Sequence, residues 1–154
     1  EQGKNPFIVV LDGITDVRNF GAIARTCEVA GVDAIVIPAR GSVSVNADAI
    51  KTSAGALHTL PVCRENNLKE AVVFLKNSGI KVVAATEKAA KNHTESDLSV
   101  PVAILMGSED EGVSTEILRI TDDLVKIPQF GTIQSLNVSV AAGVMIYEVI
   151  RQRI

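Results

Sequence analysis

The sequence predicts an α/β domain with a mostly parallel sheet and helices on both of its faces, and three observations carry that expectation. Nearly continuous apolar runs recur at 7–11, 34–37, 80–85 and 102–106, the right length for strands buried on both sides. Between them lie stretches with helical periodicity and short links, the alternation that produces parallel pairing. Hydrophobic residues make up 47% of the 154 positions but aromatics only 3%, so the core must be built from Val, Ile, Leu and Ala. That length fits a single domain, residues 1–154, able to bury roughly 70% of its unfolded surface.

Phe7 to Leu11 reads as the first strand, ending at Asp12-Gly13. A helix from about Asn19 to Ala30 follows, with Asn19 able to cap it and Gly31 to stop it. Strand Ala34 to Ile37 runs up to Pro38. The loop Ala39 to Val45 leads into a short helix capped by Asn46 or Asp48 and ending near Ala54. Pro61 to Cys63 is a short strand, Asn67 to Ser78 a helix closed by Gly79, and Ile80 to Ala85 a buried strand. Residues Thr86 to Ser99 are polar and irregular. Strand Val102 to Met106 precedes Gly107, a helix from about Ser114, strand Leu124 to Ile127 and the last helix.

That last helix has two apolar stripes. Val138, Ala141, Ala142, Met145, Ile146, Val149 and Ile150 form one at helical spacing; Leu136, Val140, Gly143 and Tyr147 form the other. A single sheet satisfies only one of them, which predicts a homodimer joined largely through the helices Leu136 to Arg151 and Asn19 to Ala30. Ala22, Ala24 and Gly143 are small enough for close packing there, and Arg153 and Ile154 should be peripheral. Ser135 and Asn137 cap the helix start, whose free N–H groups suit a carboxylate or phosphate. A capped core helix explains the same residues without any ligand.

Composition narrows the function classes. A net charge of −3, with six basic and six acidic side chains in residues 1–64 and an acidic remainder, excludes nucleic-acid binding by bulk positive charge. RNA binding would need a few placed arginines, a dimer groove or a further domain. No apolar run approaches the roughly 18 residues of a membrane span, and no signal-peptide pattern opens the chain. Cys27 and Cys63 lack metal-ligand spacing and read as two buried, reduced thiols of a cytoplasmic protein. His58 and His93 belong to no triad or metal pattern and read as loop or solvent residues.

Three polar clusters follow apolar strands, where ligands bind in open α/β sheets. The first holds Asp16, Arg18, Asn19, Gly21, Ala22 and Arg25; the small residues admit another backbone or a ligand, and Arg25 has a surface ion pair with Asp16 or Glu28 as its plainest explanation. The second, Gly107-Ser108-Glu109-Asp110-Glu111-Gly112, has no Lys-Ser or Lys-Thr and three acids, so it is no phosphate loop; by itself it equally fits an acidic turn before a helix. The third runs from Ile127-Pro128-Gln129 to Ser135 and Asn137. Neither a Gly-x-Gly-x-x-Gly fingerprint nor a Gly-x-Ser-x-Gly elbow occurs.

Taken together, Asn19-Phe20-Gly21-Ala22-Ile23-Ala24-Arg25, Met106 to Gly112, and Ile127-Pro128 through Ser135-Leu136-Asn137-Val138-Ser139-Val140-Ala141 resemble, in order and spacing, the three motifs of the SpoU/TrmH methyltransferases. The resemblance spans about residues 6 to 153. Asn46 to Ala56 is similar to the branch that methylates guanosine ribose in large-subunit ribosomal RNA, with transfer-RNA enzymes sharing much of it.

The resemblance implies methyl transfer from S-adenosylmethionine to a ribose 2′-hydroxyl of ribosomal or transfer RNA, without a metal, on a fold whose C-terminal segment is threaded into a trefoil knot. It places the cofactor against Ala85, Thr86, Gly107, Ile127, Pro128, Leu136 and Asn137, with Gln129 where the family often has Met. It makes Arg25, Asn19, Glu109, Ser135 and Asn137 the catalytic set. Arg25 matches the arginine often assigned to proton abstraction; a guanidinium stays protonated, so gripping phosphate and stabilising an alkoxide suits it better. Asn19 would orient the ribose or Arg25, and Glu109 would hold Arg25 or order its own loop. Whether an RNA-binding domain precedes Glu1 is left open by the sequence. Two other readings remain: an RNA- or nucleotide-binding module of the same fold without catalysis, which would be expected to lack Arg25 or Asn137, and an ordinary doubly wound nucleotide enzyme, for which Asp12-Gly13-Ile14-Thr15-Asp16 is a poor loop.

Overall fold

The computed structural model describes residues 5–41, 47–133 and 135–154. Its strands are β1 (Phe7–Asp12), β2 (Ala34–Pro38), β3 (Val62–Glu65), β4 (Lys81–Ala85), β5 (Lys91–Asn92), β6 (Val102–Gly107) and β7 (Asp123–Lys126). The helices are α1 (Val17–Ala30), α2 (Ala47–Thr52), α3 (Leu68–Asn77), α4 (Thr115–Leu118) and α5 (Val138–Arg153). The strands form one sheet in the order β3-β2-β1-β6-β4-β7-β5, and every pairing is parallel.

Strand alternation sorts the core into two layers. Val9, Leu11, Ile35, Ile37, Val83, Ile104 and Met106 face α1, α2 and α5. Val10, Val36, Val82, Ala84, Ala103 and Leu105 face α3 and α4. Helices therefore cover both faces, as the uninterrupted apolar strands require.

Local chemistry sets the helix ends. The cap of α1 is Asp16, not Asn19: its carboxylate accepts from the amides of Arg18 and Asn19 at 2.8 and 3.0 Å, which leaves the Asn19 side chain available. Gly31 closes α1 in the left-handed conformation (φ 81°). Gly21 serves α2 rather than a ligand, since a Cβ there would lie 2.6 Å from Cβ of Thr52. Asp48 lies within α2, and Asn46 falls outside the described residues. The irregular 86–99 segment contains β5 and a short 3-10 turn, His93–Glu95, because two residues suffice to pair with β7 as the edge of the sheet.

The first apolar stripe of α5 is buried on α1 and the sheet, while Val140 and Tyr147 of the second stay 52% and 45% exposed. Ala24 is fully buried in the same layer, so it packs within the chain and not between subunits. Arg153 is not peripheral: its guanidinium donates to the carbonyls of Asn5, Pro6 and Val100 at 2.8 to 3.2 Å and lies over the Phe7 ring, clasping the end of α5 to the start of β1. Ile154 is exposed as expected. Only one of the two cysteines is buried. Burial pushes the Cys27 thiol up to about 12, whereas Cys63 is exposed because β3 is an edge strand with little packed over it.

Glu148, 7% exposed, sits at the centre of a polar clasp. It accepts from Arg151 and Gln152, and Gln152 in turn donates to the Ser96 carbonyl and accepts from the Leu98 amide. Segment 93–99 is thereby fastened to α5. The Arg151 hydrogen bonds hold the Glu148 carboxyl down to about 2 despite its burial.

Candidate active site at the carboxyl edge of the sheet

Because all strands are parallel, their C-terminal ends emerge along one edge. Asp12 pairs with Gly107 and Ala85 with Val125, so the loops after β1, β6, β4 and β7 leave side by side. A cleft opens between three of them. Ala85, Thr86, Gly107, Glu109, Ile127, Ser135 and Leu136 line it, each singled out by sequence, and so does Gln129. Pro128 and Asn137 adjoin the lining without joining it, and Asn19 lies outside it.

The loop after β6 is wound tightly. Gly112 donates to the Ser108 carbonyl at 2.8 Å with φ +69°, and the Glu111 amide donates to the Ser108 hydroxyl. Gly107 is crossed by this loop so closely that a Cβ on it would lie 2.1 Å from the Gly112 carbonyl carbon. The Ser114 amide is held by the Asp12 carboxylate at 2.9 Å, which ties the loop to the end of β1.

The N-terminus of α5 completes the wall. Asn137 caps the helix, its side-chain oxygen accepting from the amides of Ser139 and Val140 and from the Ser139 hydroxyl. Glu109 accepts from the Val138 amide at 2.8 Å, placing a carboxylate against the positive end of the helix. The anion site expected at this helix start is thus filled by the protein's own side chains. The Asn137 amide also donates to the Asn19 side-chain oxygen at 3.2 Å, across 118 residues of sequence. These two contacts bind the three motif segments into one constellation at the cleft.

Arg25 stands apart. It is six residues beyond Asn19, about 9 Å along α1, and lines a separate hollow with Glu28 and the 53–56 turn. Among the described residues it forms no ion pair within 4 Å, neither with Asp16, which serves as the cap, nor with Glu28 or Glu109. Of Glu109's two expected roles, the structure shows loop and helix ordering. Ser135 is exposed at the cleft wall.

Sequence reasoning passed over Glu87, Lys88, Val113 and Leu118 as cleft-lining residues. Glu87 and Lys88 carried a signal, being charged residues directly after a buried strand. Val113 and Leu118 carried none, since apolar residues before and within a four-residue helix look like ordinary core.

A parallel α/β domain with its polar residues gathered in a cleft at the carboxyl edge belongs to the class of open-sheet domains whose ligand crevice lies outside the carboxyl ends of the strands. The description of the SpoU rRNA methylase family matches residues 6–147, and the chain belongs to that family. A 23S rRNA (guanosine-2'-O-)-methyltransferase RlmB from Photobacterium profundum is 39% identical over 153 residues, covering 99% of this chain and 62% of that protein. A TrmH family tRNA/rRNA methyltransferase, named as putative, from Staphylococcus saprophyticus is 38% identical over 152 residues, with coverages of 99% and 61%. Similar solved structures include the SpoU methyltransferase AviRb from Streptomyces viridochromogenes in complex with the cofactor AdoMet (TM-score 0.90, 26% identity, 97% of this chain and 61% of that one) and a TrmH/SpoU tRNA modifying enzyme from A. aeolicus (TM-score 0.88, 32%, 99% and 78%). The chain spans about three fifths of the length of the curated relatives it matches. No helix among the described residues is long and apolar enough to cross a membrane.

Proposed function

We propose that this chain is the catalytic domain of an enzyme that transfers a methyl group from S-adenosylmethionine to a ribose 2′-hydroxyl of RNA, ribosomal RNA in the first place and transfer RNA as the alternative. The observation that carries this reading is the joining of Asn19, Glu109 and Asn137 at the cleft, together with the family assignment. The residues present fit the cofactor. Met106, Ile127, Leu136 and Ala141 offer apolar wall for a base, loop backbone offers donors and acceptors for its edge, and carboxylates of Glu87 and Glu111 suit positive charge. Bound there, S-adenosylmethionine supplies an electrophilic methyl group. Ala85, Thr86, Gly107, Ile127, Pro128, Leu136 and Asn137 are the residues assigned to hold it.

The chain must position the ribose, assist loss of its proton and keep the acceptor oxygen in line. The Asn19–Asn137 pair and Ser135 present hydrogen-bonding groups for the ribose at the cleft mouth. Arg25, permanently charged and without an ion pair among the described residues, is the residue assigned to grip the adjacent phosphate and stabilise the developing alkoxide; since it lines a hollow apart from this cleft, that role requires the RNA or a second copy of the chain to bring the two together. Phosphate or water takes the proton. The carboxylate of Glu109 keeps the motif loop and α5 in register.

Further parts of the reading are a homodimer through the exposed Val29, Val140 and Tyr147 of α1 and α5, threading of the C-terminal segment into a knot, a cytoplasmic setting, and an RNA-binding domain outside this chain. The net charge of −3 supports the last, because little in this domain attracts RNA at long range. Transfer of labelled methyl groups to ribosomal and transfer RNA from a strain lacking the protein, with the labelled position mapped, tests the activity. Incorporation into a ribose 2′-oxygen is expected. Full-length protein that binds S-adenosylmethionine yet labels neither RNA would leave the non-catalytic module as the better description.

A further inference from the structure

Lys88 is the one cation among the described residues lining the cleft; the other charged residues there are Glu87, Glu109 and Glu111. Its backbone is placed by a fixed turn at the end of β4. The Thr86 amide donates to the Val125 carbonyl at 2.8 Å, the Ala89 amide to the Thr86 carbonyl at 3.1 Å, and the Lys88 amide to the Thr86 hydroxyl at 3.2 Å. Ala89 is buried and anchors the far side of the turn. Three other lysines are engaged: Lys91 pairs with Asp123 at 3.1 Å, Lys81 donates to the Asp97 carbonyl at 3.0 Å, and Lys76 donates to the Ile120 carbonyl. Lys88, exposed at the rim, has no ion pair within 4 Å among the described residues.

We propose that the Lys88 ammonium pairs with the carboxylate at the amino-acid end of S-adenosylmethionine, an assignment that rests on the function proposed above. The chemistry of the cleft demands such a partner. The cofactor carries a sulfonium and an ammonium, which suit Glu87 and Glu111, but also one carboxylate. Glu109 is already committed to the Val138 amide, and three carboxylates repel a fourth at close range. A lysine on a flexible four-carbon stem, rooted in a rigid turn, neutralises that charge without narrowing the cleft.

Calorimetry with two ligands isolates the contact. S-adenosylhomocysteine keeps the amino-acid tail, and 5′-methylthioadenosine has the same nucleoside and thioether without it. Lys88→Met should weaken S-adenosylhomocysteine about five- to tenfold and leave 5′-methylthioadenosine within about twofold, the scale of one partly exposed charge-assisted contact. Lys88→Arg should keep most of the affinity, and raising the salt should erode the difference between parent and methionine variant. Equal losses for both ligands would mean that Lys88 acts through the turn, and no loss for either would mean that it does not touch the tail; each overturns the assignment while leaving the proposed function standing. A parent protein that binds neither ligand would overturn both.

Discussion

Gly107→Ala is the most direct test of how the cleft is built. The added Cβ would lie 2.1 Å from the Gly112 carbonyl carbon and 2.2 Å from the Val113 nitrogen. Ordinary carbon contacts begin near 3.5 Å, so about 1.4 Å of relief must be found. No side chain can supply it by changing rotamer, because both atoms are backbone. The opposing strand of the loop is pinned by the Gly112–Ser108 hydrogen bond, by the Ser114–Asp12 contact and by buried Val113. Overpacking in a constrained core costs about 1–3 kcal/mol, and with backbone on both sides the upper end applies, about 3 kcal/mol out of the roughly 5–15 typical of a domain. If the loop shifts instead, the Glu109–Val138 contact opens and the cleft deforms. Chemical denaturation and calorimetry with S-adenosylhomocysteine distinguish these routes: the first lowers the unfolding midpoint, the second lowers affinity at least tenfold. Gly131→Ala is the control, since a Cβ there meets nothing within 4 Å. A Gly107→Ala protein with stability within about 0.5 kcal/mol of the parent and affinity within twofold would refute the reasoning.

Arg25→Ala should lower turnover on RNA by roughly 10²-fold or more, with cofactor affinity little changed and Arg25→Lys recovering only part of the rate; a variant that turns over like its parent would show that the residue is only a surface cation. Glu148 sets an acid limit on stability. Its folded-state carboxyl is held near 2 against an ordinary 4.5, so the unfolded chain takes up the proton more readily and the contribution, full above about pH 5, is lost as pH falls toward 2. The depression corresponds to at most about 3 kcal/mol, and screening at the 64% exposed Arg151 brings it to about 1–2 kcal/mol; Glu148→Gln should flatten the stability profile between pH 5 and pH 2 by that amount. Gly143→Ala should stabilise the isolated chain by about 0.5–1 kcal/mol, as α5 has open space there. If the α5 face forms a close dimer contact, sedimentation will show the same variant dissociating more readily.

The α/β class, the parallel sheet and the stripe of α5 that is buried were legible in the sequence because each depends on local pattern. Runs such as Val102 to Met106 are apolar throughout only when both faces of a strand are covered, and Val138 to Ile150 repeat at the helical period whatever the helix packs against. Motif order likewise brought Asn19, Glu109 and Asn137 forward as one group. What that group contacts within the chain was decided by tertiary structure alone. Glu109 and Asn137 look from sequence like residues awaiting a ligand, but each is bonded to the start of α5, since helix amides left unpaired by the fold must find acceptors. Asp16 displaced Asn19 as the α1 cap for the same reason, and its being three residues earlier released Asn19 to meet Asn137. Arg153 reads as a frayed terminus until the return of α5 to the start of β1 places three carbonyls around it. Cys63 is exposed because its strand ends the sheet, and sheet order is set by which strands pair across long separations, a choice made by the packing of the whole chain and carried by no local run of residues.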